Sequence, residues 1–337
     1  MAAAFPLPTP PDLEDVRWRV AELSDSEAIS DLLNACFEVD GGYRITAVEI
    51  ENELDSDADN PADDTLIAQL DDGRLIAVAW LQIPAGVESH WRAFTWNRVH
   101  PDYRGQGIGT FLLRWTEARG QQRLSVVEDD LPKSFDEQPY DWQTDRIELL
   151  EDNGYRPVRH FFEMLRDLCE PLPPLGEPEG IDVVPWSKER AEEARAVHNA
   201  AFSDHWRSQP VTWRRWHEDF LDDFFLPDAS YLALDQDRPV SYLVSFKYPH
   251  DFEDRDRSES WIEGIGTIRD YRGRGIATHL VARAMHDFKA DGMQYACLGV
   301  DSGNPSGALG LYEELGFVIE KRSILYTKPV FGGEGGI

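Results

Sequence analysis

The order of hydrophobic and polar residues in the second half of the chain predicts a hairpin, a strand, a glycine-rich turn and a helix in succession. Residues 231–246 alternate apolar and polar side chains around a polar turn near Asp235, which predicts a β-hairpin. Residues 258–271 predict a strand that runs into the turn at Arg272. A helix should follow, because apolar residues then recur at helical spacing up to Gly292. These residues are Ile276, Leu280, Val281, Ala284 and Phe288.

The remaining pattern predicts a mixed fold that both halves share. Residues 293–300 are nearly all apolar, as in a strand inside a sheet, and residues 304–316 predict the next helix. The first half contains a matching hairpin over residues 65–81, which turns at Asp72 and Gly73. We therefore predict an α/β fold of the α+β type with a mixed sheet in each half.

Three short segments occur twice, in the same order and at nearly constant spacing, which indicates an internal repeat. The pairs are NACF at 34–37 with NAAF at 199–202, DYRGQGIG at 102–109 with DYRGRGIA at 270–277, and LLEDNGY at 149–155 with LYEELGF at 311–317. Between the copies, residues 169–180 are rich in proline and glycine, which favour neither helix nor strand. We predict flexible tails at 1–15 and 331–337, domains at 16–168 and 181–330, and a linker at 169–180.

The charge of the chain limits its partners. Sixty-three acidic residues against 33 basic ones give a formal net charge of −30 at pH 7. Such a field repels phosphate backbones, so we expect no nucleic-acid partner. A solvated acidic surface explains the charge most simply, and attraction of a cationic amine substrate is the alternative.

Cysteine and histidine positions predict neither disulfides nor a metal. Cys36, Cys169 and Cys297 are widely spaced, and the nine histidines form no metal-ligand pair with nearby carboxylates. No stretch approaches the roughly 20 apolar residues needed to span a bilayer, and the start of the chain lacks the pattern of a signal peptide. We expect a cytoplasmic monomer or homodimer with no membrane partner.

The turn RGRGIA lies between a predicted strand and a predicted helix, where it predicts an anion site. Gly273 and Gly275 permit backbone angles that are closed to other residues and allow a phosphate to approach. The free amides and the dipole of the helix start attract negative charge. A dinucleotide-binding loop needs G-x-G-x-x-G near the start of its domain, and a P-loop needs Gly-Lys-Ser/Thr. Neither pattern fits, so we expect a ligand that carries a diphosphate but is recognised by neither of these two loops.

Both copies of this turn resemble the acyl-CoA pyrophosphate loop of the GNAT (GCN5-related N-acetyltransferase) superfamily. Residues 104–109 have the pattern R-x-x-G-x-G and residues 272–277 the pattern R-x-x-G-x-A, each after a hydrophobic strand and before an amphipathic helix. Residues 304–317 are similar to the second signature of that family, an Asn and then a Tyr on a helix that ends in Leu-Gly-Phe. The resemblance implies two tandem acyl-CoA N-acyltransferase domains, each with a largely antiparallel sheet that splays at the cofactor-bearing strand.

The resemblance implies cofactor contacts in both halves. In the second half these are Gly266, Thr267, Ile268, Arg272, Gly273, Arg274, Gly275, Ile276, Ala277 and Asn304. In the first half they are Val99, Arg104, Gly105, Gln106, Gly107, Ile108, Gly109 and Thr110. The strand residues should offer backbone groups to the pantetheine arm and an amide to the oxyanion. Asn304 has a structural alternative as the N-cap of the last helix.

Acetyl transfer from a thioester to an amine requires a neutral amine, a stabilised oxyanion and a proton for the leaving thiolate. The resemblance gives Tyr312 the role of general acid, since a phenol with an ordinary pKa of about 10 is protonated at pH 7. Core packing beside Leu315 and Phe317 is the structural alternative. Glu263, on the strand before the loop, is the candidate general base. Glu259 on the same strand face is a second candidate, and a solvated glutamate is the structural explanation.

The first half lacks this chemistry. Aligned on the shared motifs, Leu150 replaces Tyr312, and Trp142 and Thr95 replace the asparagine and the glutamate. None of the three can perform the corresponding role, although the loop is intact. We predict that the first half binds acyl-CoA or only supports the second half, without catalysis.

An aromatic group precedes the second hairpin, where the GNAT family builds its acceptor groove. Its members, Trp206, Trp213, Trp216 and Phe220, could line the acceptor site, but their near-helical spacing favours core packing.

These observations predict an enzyme that uses acetyl-CoA, and no metal, to acetylate the primary amine of a small molecule. One alternative is an acyl-CoA sensor that regulates a partner without turnover, although a sensor needs neither Tyr312 nor Glu263. Another is transfer to a peptide or protein amine. The sequence does not identify the acceptor.

Overall fold

A computed structural model describes the chain in six stretches and divides it into two compact units. The described residues are 5–55, 61–84, 87–220, 224–252, 256–304 and 307–331. Unit 1 comprises residues 1–158 and 324–337, and unit 2 comprises residues 159–323.

Unit 1 is a mixed sheet with helices. Its strands are β1 (Val16–Arg19), β2 (Thr65–Leu70), β3 (Leu75–Gln82), β4 (Trp91–Val99), β5 (Lys133–Glu137) and the end of β12 (Val318–Pro329). Its helices are α1 (Ser26–Asp40), α2 (Ala47–Leu54), α3 (Pro61–Asp64), α4 (Ile108–Leu124) and α5 (Thr144–Asp152). The strand order is β1-β2-β3-β4-β5-β12. Neighbours pair antiparallel except β4 and β5, which are parallel.

Unit 2 repeats this plan. Its strands are β6 (Arg156–Asp167), β7 (Asp182–Pro185), β8 (Tyr231–Asp235), β9 (Arg238–Phe246), β10 (Glu259–Thr267) and β11 (Tyr295–Asp301). Its helices are α6 (Ala191–Phe202), α7 (Trp213–Phe220), α8 (Ile276–Ala290) and α9 (Ala308–Glu314). The strand order is β7-β8-β9-β10-β11-β6, and β10 and β11 form the parallel pair. The prediction of a mixed α/β fold in each half is confirmed.

The closing strands are exchanged between the two copies. β6 follows the last repeat motif of the first half, yet it pairs with β11 in unit 2. The end of β12, at the close of the second half, pairs with β5 in unit 1. The boundaries of the two units therefore differ from the predicted domain boundaries, 16–168 and 181–330. Because the two sheets are copies, β5 and β11 offer equivalent edges, and either edge accepts the strand of the other copy.

The helix expected after the glycine-rich turn is α8, and its apolar face is the core of unit 2. All five residues that defined this face in the sequence are at most 1 % exposed. Both hairpins form as expected, β8–β9 in unit 2 and β2–β3 in unit 1. The apolar segment at 293–300 forms β11, which lies between β10 and β6 inside the sheet. These elements place the end of β10 and the start of α8 next to each other.

Two kinds of feature are absent from the described stretches. No helix there is long and apolar enough to cross a membrane. The same residues contain no group of three or more His, Cys, Asp or Glu side chains that could hold a metal ion.

Candidate active site

A cleft opens in unit 2 where the two parallel strands part. β10 and β11 are paired from Glu259 opposite Tyr295 to Ile262 opposite Leu298. β10 then continues to Thr267 with a partner on one side only, because β9 still pairs with it there. Its free edge exposes backbone amides and carbonyls to the gap, as an extended ligand arm requires. The predicted splay is confirmed, and Gly266 and Thr267 lie on its free edge.

A β-bulge lies at the point where the strands part. Ile262 faces Ser245 and Gly264 faces Val244, so Glu263 is an extra residue on β10. Such a bulge bends the strand and turns its backbone groups out of the regular ladder. No register shift interrupts the described pairing of β4 with β3 in unit 1. The bulge therefore distinguishes the two copies at the position of the candidate base.

The two candidate glutamates have different surroundings. Glu263 is exposed and accepts a hydrogen bond from the Tyr248 hydroxyl, 3.3 Å away. Glu259 is only 1 % exposed and accepts from Arg257 Nε at 2.7 Å and from Trp261 Nε1 at 3.1 Å. Burial and these hydrogen bonds fix the Glu259 carboxylate among protein groups, away from reactants. Glu263 is the candidate that reactants can reach.

The glycine-rich turn has the backbone of an anion site. Gly273 and Gly275 have φ angles of 72° and 75°, in the left-handed region that favours glycine. Gly275 is the N-cap of α8, and its carbonyl accepts the first helical hydrogen bond, from the His279 amide. The amides of Ile276 and Ala277 therefore have no carbonyl partner within the helix. A Cβ on Gly275 would meet no atom within 4 Å, so the turn is open on that side.

Arg272 stabilises this turn through protein contacts. Its guanidinium makes a two-point ion pair with Asp204, at 2.7 and 3.0 Å, and this pair raises the pKa of Arg272. It also donates to the carbonyls of Ala201, at 2.6 Å, and Thr267, at 3.2 Å. The sequence suggested a direct cofactor contact for this arginine, but these bonds tie the turn to α6 and to β10. The neighbouring Arg274 is exposed and lies over the ring of Tyr271.

Tyr312 and Asn304 lie on and before the short helix α9. Tyr312 is 6 % exposed, packs edge to face on Phe317 at 6.0 Å, and has a pKa that burial raises to about 12. It is near enough to Tyr242 to raise the pKa of that phenol. Gly307 is the N-cap of α9, so Asn304 does not have that role, and the Asn304 carbonyl accepts from the Gly307 amide at 3.2 Å.

Unit 1 keeps the loop of the site and loses its chemistry. Gly105 and Gly107 have φ angles of 75° and 81°, and Gly107 is the N-cap of α4. Arg104 pairs with Asp40 as Arg272 pairs with its own aspartate, and it donates to the Val99 carbonyl at 3.0 Å. The anion-binding backbone is therefore present in both copies.

The replaced positions in unit 1 are engaged elsewhere. Thr95 donates to Glu137 at 2.7 Å, and Glu137 also accepts two hydrogen bonds from Arg146. Leu150 is buried in an apolar cluster. Trp142 donates to the carbonyl of Asp40 and stacks on a neighbouring tyrosine. A charged network thus occupies the cleft position of unit 1, without an acid at the place of Tyr312.

The aromatic group belongs in part to the core. Trp216 has no exposed surface and lies 6.3 Å from Trp186, ring to ring, so core packing describes it. Trp213 is 46 % exposed, and Trp206 packs against the guanidinium of Arg159 at 5.2 Å. The side chain of Phe220 lies outside the described residues.

The features that the sequence did not reveal depend on contacts between elements that are distant along the chain. They are the bulge, the Asp204 partner of Arg272, and a pair formed by His198 and Tyr242 beside β10. One sequence signal was available: Gly264 and Gly266 are matched in the first half by Trp96 and Arg98.

Two sheets with parted parallel strands, each beside a glycine-rich helix start, define this chain as a tandem acyltransferase of one fold. The sequence pattern of the Acetyltransferase (GNAT) family matches residues 26–134 and 195–317. The chain therefore belongs to the GNAT family, with one GNAT domain in each unit. It is an N-acetyltransferase that uses an acyl-CoA donor, as the sequence predicted.

The chain is similar to acetyltransferases over most of its length. Mycothiol acetyltransferase of Nocardiopsis dassonvillei is 27 % identical over 77 % of this chain and 80 % of its own. The enzyme of the same name from Nocardia farcinica is 27 % identical over 93 % of this chain and 97 % of its own. A GCN5-related N-acetyltransferase from Sphaerobacter thermophilus has a TM-score of 0.74 and 25 % identity, over 95 % of this chain and 98 % of its own.

A second solved structure shares the fold at lower identity. It is a tandem GNAT protein from the clavulanic acid biosynthesis pathway, with a TM-score of 0.68 and 15 % identity. It covers 95 % of this chain and 100 % of its own.

Proposed function

We propose that unit 2 transfers an acetyl group from acetyl-CoA to the primary amine of a small molecule. One observation carries the proposal: the parted strands, the bulge at Glu263 and the buried acid Tyr312 occur together beside an open anion site. Unit 1 has only the anion site and the parted strands, so we assign it no turnover.

The cofactor would bind along β10 and against α8. The free amides at the start of α8 and the helix dipole suit the pyrophosphate. The edge of β10 that faces away from β9, at Gly266 and Thr267, suits the amides of the pantetheine arm, in the manner of an added strand. Ile268 follows this edge, and its own amide donates to the Val240 carbonyl. In this arrangement the thioester would lie at the bulge, between β10 and α9.

The residues supply the three parts of an acyl transfer. The amine nitrogen attacks the thioester carbonyl, and the backbone amides after the bulge would hold the oxyanion; one such donor typically contributes about 10²- to 10³-fold in rate. The C–S bond then breaks, and Tyr312 gives its proton to the leaving sulfur. Glu263 accepts the proton that the amine loses. Return of that proton from Glu263 to the Tyr312 phenolate, through solvent, restores both groups, so the net result is one proton moved from nitrogen to sulfur.

A small amine suits the chain better than a protein substrate. The relatives that match over most of its length are mycothiol acetyltransferases, so the acceptor of those enzymes is the first compound to test. Exposed Glu263 and the net charge of −30 favour a cationic amine over an anionic one. Identity near 27 % supports this class of acceptor and does not identify the compound.

Calorimetry with acetyl-CoA tests the proposal first. We expect Gly275→Glu to abolish binding to unit 2, because the new carboxylate stands before the helix amides and the backbone there has a φ of 75°. The matched variant Gly107→Glu changes the loop of unit 1 and should leave amine-dependent CoA release unchanged. If CoA release survives Gly275→Glu and disappears in Gly107→Glu, unit 1 carries the reaction and the proposal is wrong.

A further inference from the structure

A hydrogen-bonded pair, one member of which is fully buried, lies beside the bulge on the α6 side of β10. The Nδ1 of His198, on α6, is 2.6 Å from the phenol oxygen of Tyr242, on β9. Tyr242 has no exposed surface. Burial lowers the pKa of His198 to about 4 and raises the pKa of Tyr242, so both groups are neutral at pH 7.

The backbone of β10 is shaped to receive this tyrosine. A Cβ on Gly264 would lie 3.1 Å from the Tyr242 hydroxyl, and a Cβ on Gly266 would lie 2.8 Å from the edge of its ring. Only glycine leaves this space, so the phenol lies directly against the strand. Its hydroxyl occupies the space that a side chain on Gly264, the residue after Glu263, would fill.

Aromatic side chains fix the pair in place. The His198 ring stacks on Phe202 at 4.6 Å and meets the edge of Trp216 at 5.3 Å. Trp216 also packs edge to face on Tyr242, at 5.7 Å. A shift of either partner therefore requires the surrounding core to repack.

The internal repeat provides a comparison within the molecule. Aligned on the repeated motifs, Leu33 stands at the place of His198, and Val78 stands at the place of Tyr242 in the sheet register. Trp96 and Arg98 replace the two glycines. Unit 1 therefore keeps the glycine-rich loop but lacks the pair, the two glycines that make room for it, and the bulge. The pair accompanies the chemistry and not the cofactor loop.

We propose that His198 and Tyr242 are a positioning pair for acyl transfer. The phenol oxygen holds β10 at Gly264, so that the amides after the bulge face the thioester oxygen while Tyr312 faces the sulfur. His198 fixes the phenol through its hydrogen bond and touches no reactant. This inference rests on the proposed function, and it adds two residues on which turnover depends.

Three variants separate positioning from stability. Tyr242→Phe or His198→Leu breaks the hydrogen bond between the two side chains, so each lowers the unfolding midpoint. We expect each to lower kcat about 10- to 100-fold, as small misplacements of reacting groups do, with the Kd for acetyl-CoA unchanged. The double variant removes both partners and should regain the midpoint while kcat stays low. A pair with only a structural role would regain both, and that result would overturn the proposal.

Tyr231→Phe is the matched control. Tyr231 is also a buried tyrosine of this sheet, on β8, and its hydroxyl donates to Asp287 and to the Asp228 carbonyl. Its loss should lower the unfolding midpoint and leave kcat unchanged. A fall in kcat of the same size in this control would show that any lost buried hydroxyl slows the enzyme, and it would contradict the pair's special role.

A measurement without turnover keeps the inference separate from the proposed function. In ¹⁵N-glycine-labelled protein, addition of acetyl-CoA should shift the Gly264 amide resonance, and Tyr242→Phe should change that response. If the response changes while the wild type acetylates no amine, the pair stands and the proposed function fails. If the response is the same in both proteins, the pair is refuted whether or not the enzyme turns over.

Discussion

Tyr312 combines a polar group with an apolar site, and this combination sets its chemistry. Its ring packs on Phe317, and burial raises its pKa to about 12. The phenol therefore remains protonated throughout the physiological range and can give a proton to a thiolate formed beside it. In unit 1 the matching position is also buried, but Leu150 occupies it and has no proton to donate.

Removal of the Tyr312 hydroxyl should act on kcat alone. Tyr312→Phe keeps the ring and its packing, so we expect kcat to fall about 10²- to 10⁴-fold with the Kd for acetyl-CoA unchanged. Steady-state kinetics and calorimetry measure the two quantities. Tyr326→Phe, which removes a hydroxyl bonded to Glu151 in unit 1, is the control and should keep full kcat. Equal kcat in the two variants would exclude Tyr312 as the acid.

His198 should make the stability of the protein depend on pH. Burial, and then repulsion from His205, lowers its pKa from 6.5 to about 4. The rings of Phe202, Trp216 and Tyr242 also pack against it. The unfolded chain thus binds more protons than the folded one between these pH values, so stability is retained above pH 6.5 and lost toward pH 4.

Urea titrations at pH 7 and pH 5 test this dependence. The free energy of unfolding of the wild type should fall more between the two pH values than that of His198→Leu, which has no imidazole to protonate. Parallel losses in both proteins would mean that other groups cause the acid sensitivity.

At the scale of elements, the glycine-rich turn is positioned from outside its own segment. Arg272 and Asp204 join the turn to α6, and Arg104 and Asp40 make the same connection in unit 1. In both copies the guanidinium also donates to a carbonyl of the preceding strand. The arginine of the motif therefore holds the turn and the free amides at the start of the helix in place.

Loss of the aspartate should weaken cofactor binding without removing the loop. We expect Asp204→Asn to raise the Kd for acetyl-CoA in unit 2 about tenfold, because the ion pair with Arg272 becomes a weaker hydrogen bond to a neutral amide. Asp40→Asn makes the same change in unit 1 and should not affect turnover. Calorimetry and CoA release measure the effects; an unchanged Kd in Asp204→Asn would show that the loop keeps its shape unaided.

The elements of the site were predictable from the sequence where local pattern determines them. The helix after the turn, both hairpins and the strand at 295–301 follow from spacing and from glycine. The bulge was not predictable, because the alternation around Glu263 is compatible with regular pairing and only the register with β9 reveals the extra residue. The partner of Arg272 lies 68 residues away, beyond any local signal.

At the scale of the whole molecule, the repeat predicted two copies of one fold but not which copy holds which closing strand. β6 and the end of β12 fit the same kind of edge, so local pattern gives no preference. The chain places β6 against β11 over seven residue pairs, from Phe161 to Asp167. The same strand carries Arg159, which pairs with Asp301, and Arg166, which donates to the Leu315 carbonyl. The domain boundary at the proline-rich segment would cut this strand from its sheet.

Fragments of the second half should differ in stability accordingly. A fragment of residues 181–330 lacks β6, leaves the backbone of β11 unpaired at a sheet edge, and should aggregate or unfold without cooperativity. A fragment of residues 159–323 retains β6 and should unfold cooperatively and bind acetyl-CoA. The fragments 181–330 and 159–323 differ at both ends. A third fragment, 159–330, differs from 181–330 only in where it begins, and it should behave like 159–323. Size-exclusion chromatography and thermal unfolding compare the three. Equal behaviour of 181–330 and 159–323 would mean that β6 contributes nothing to unit 2, contrary to its seven pairs with β11.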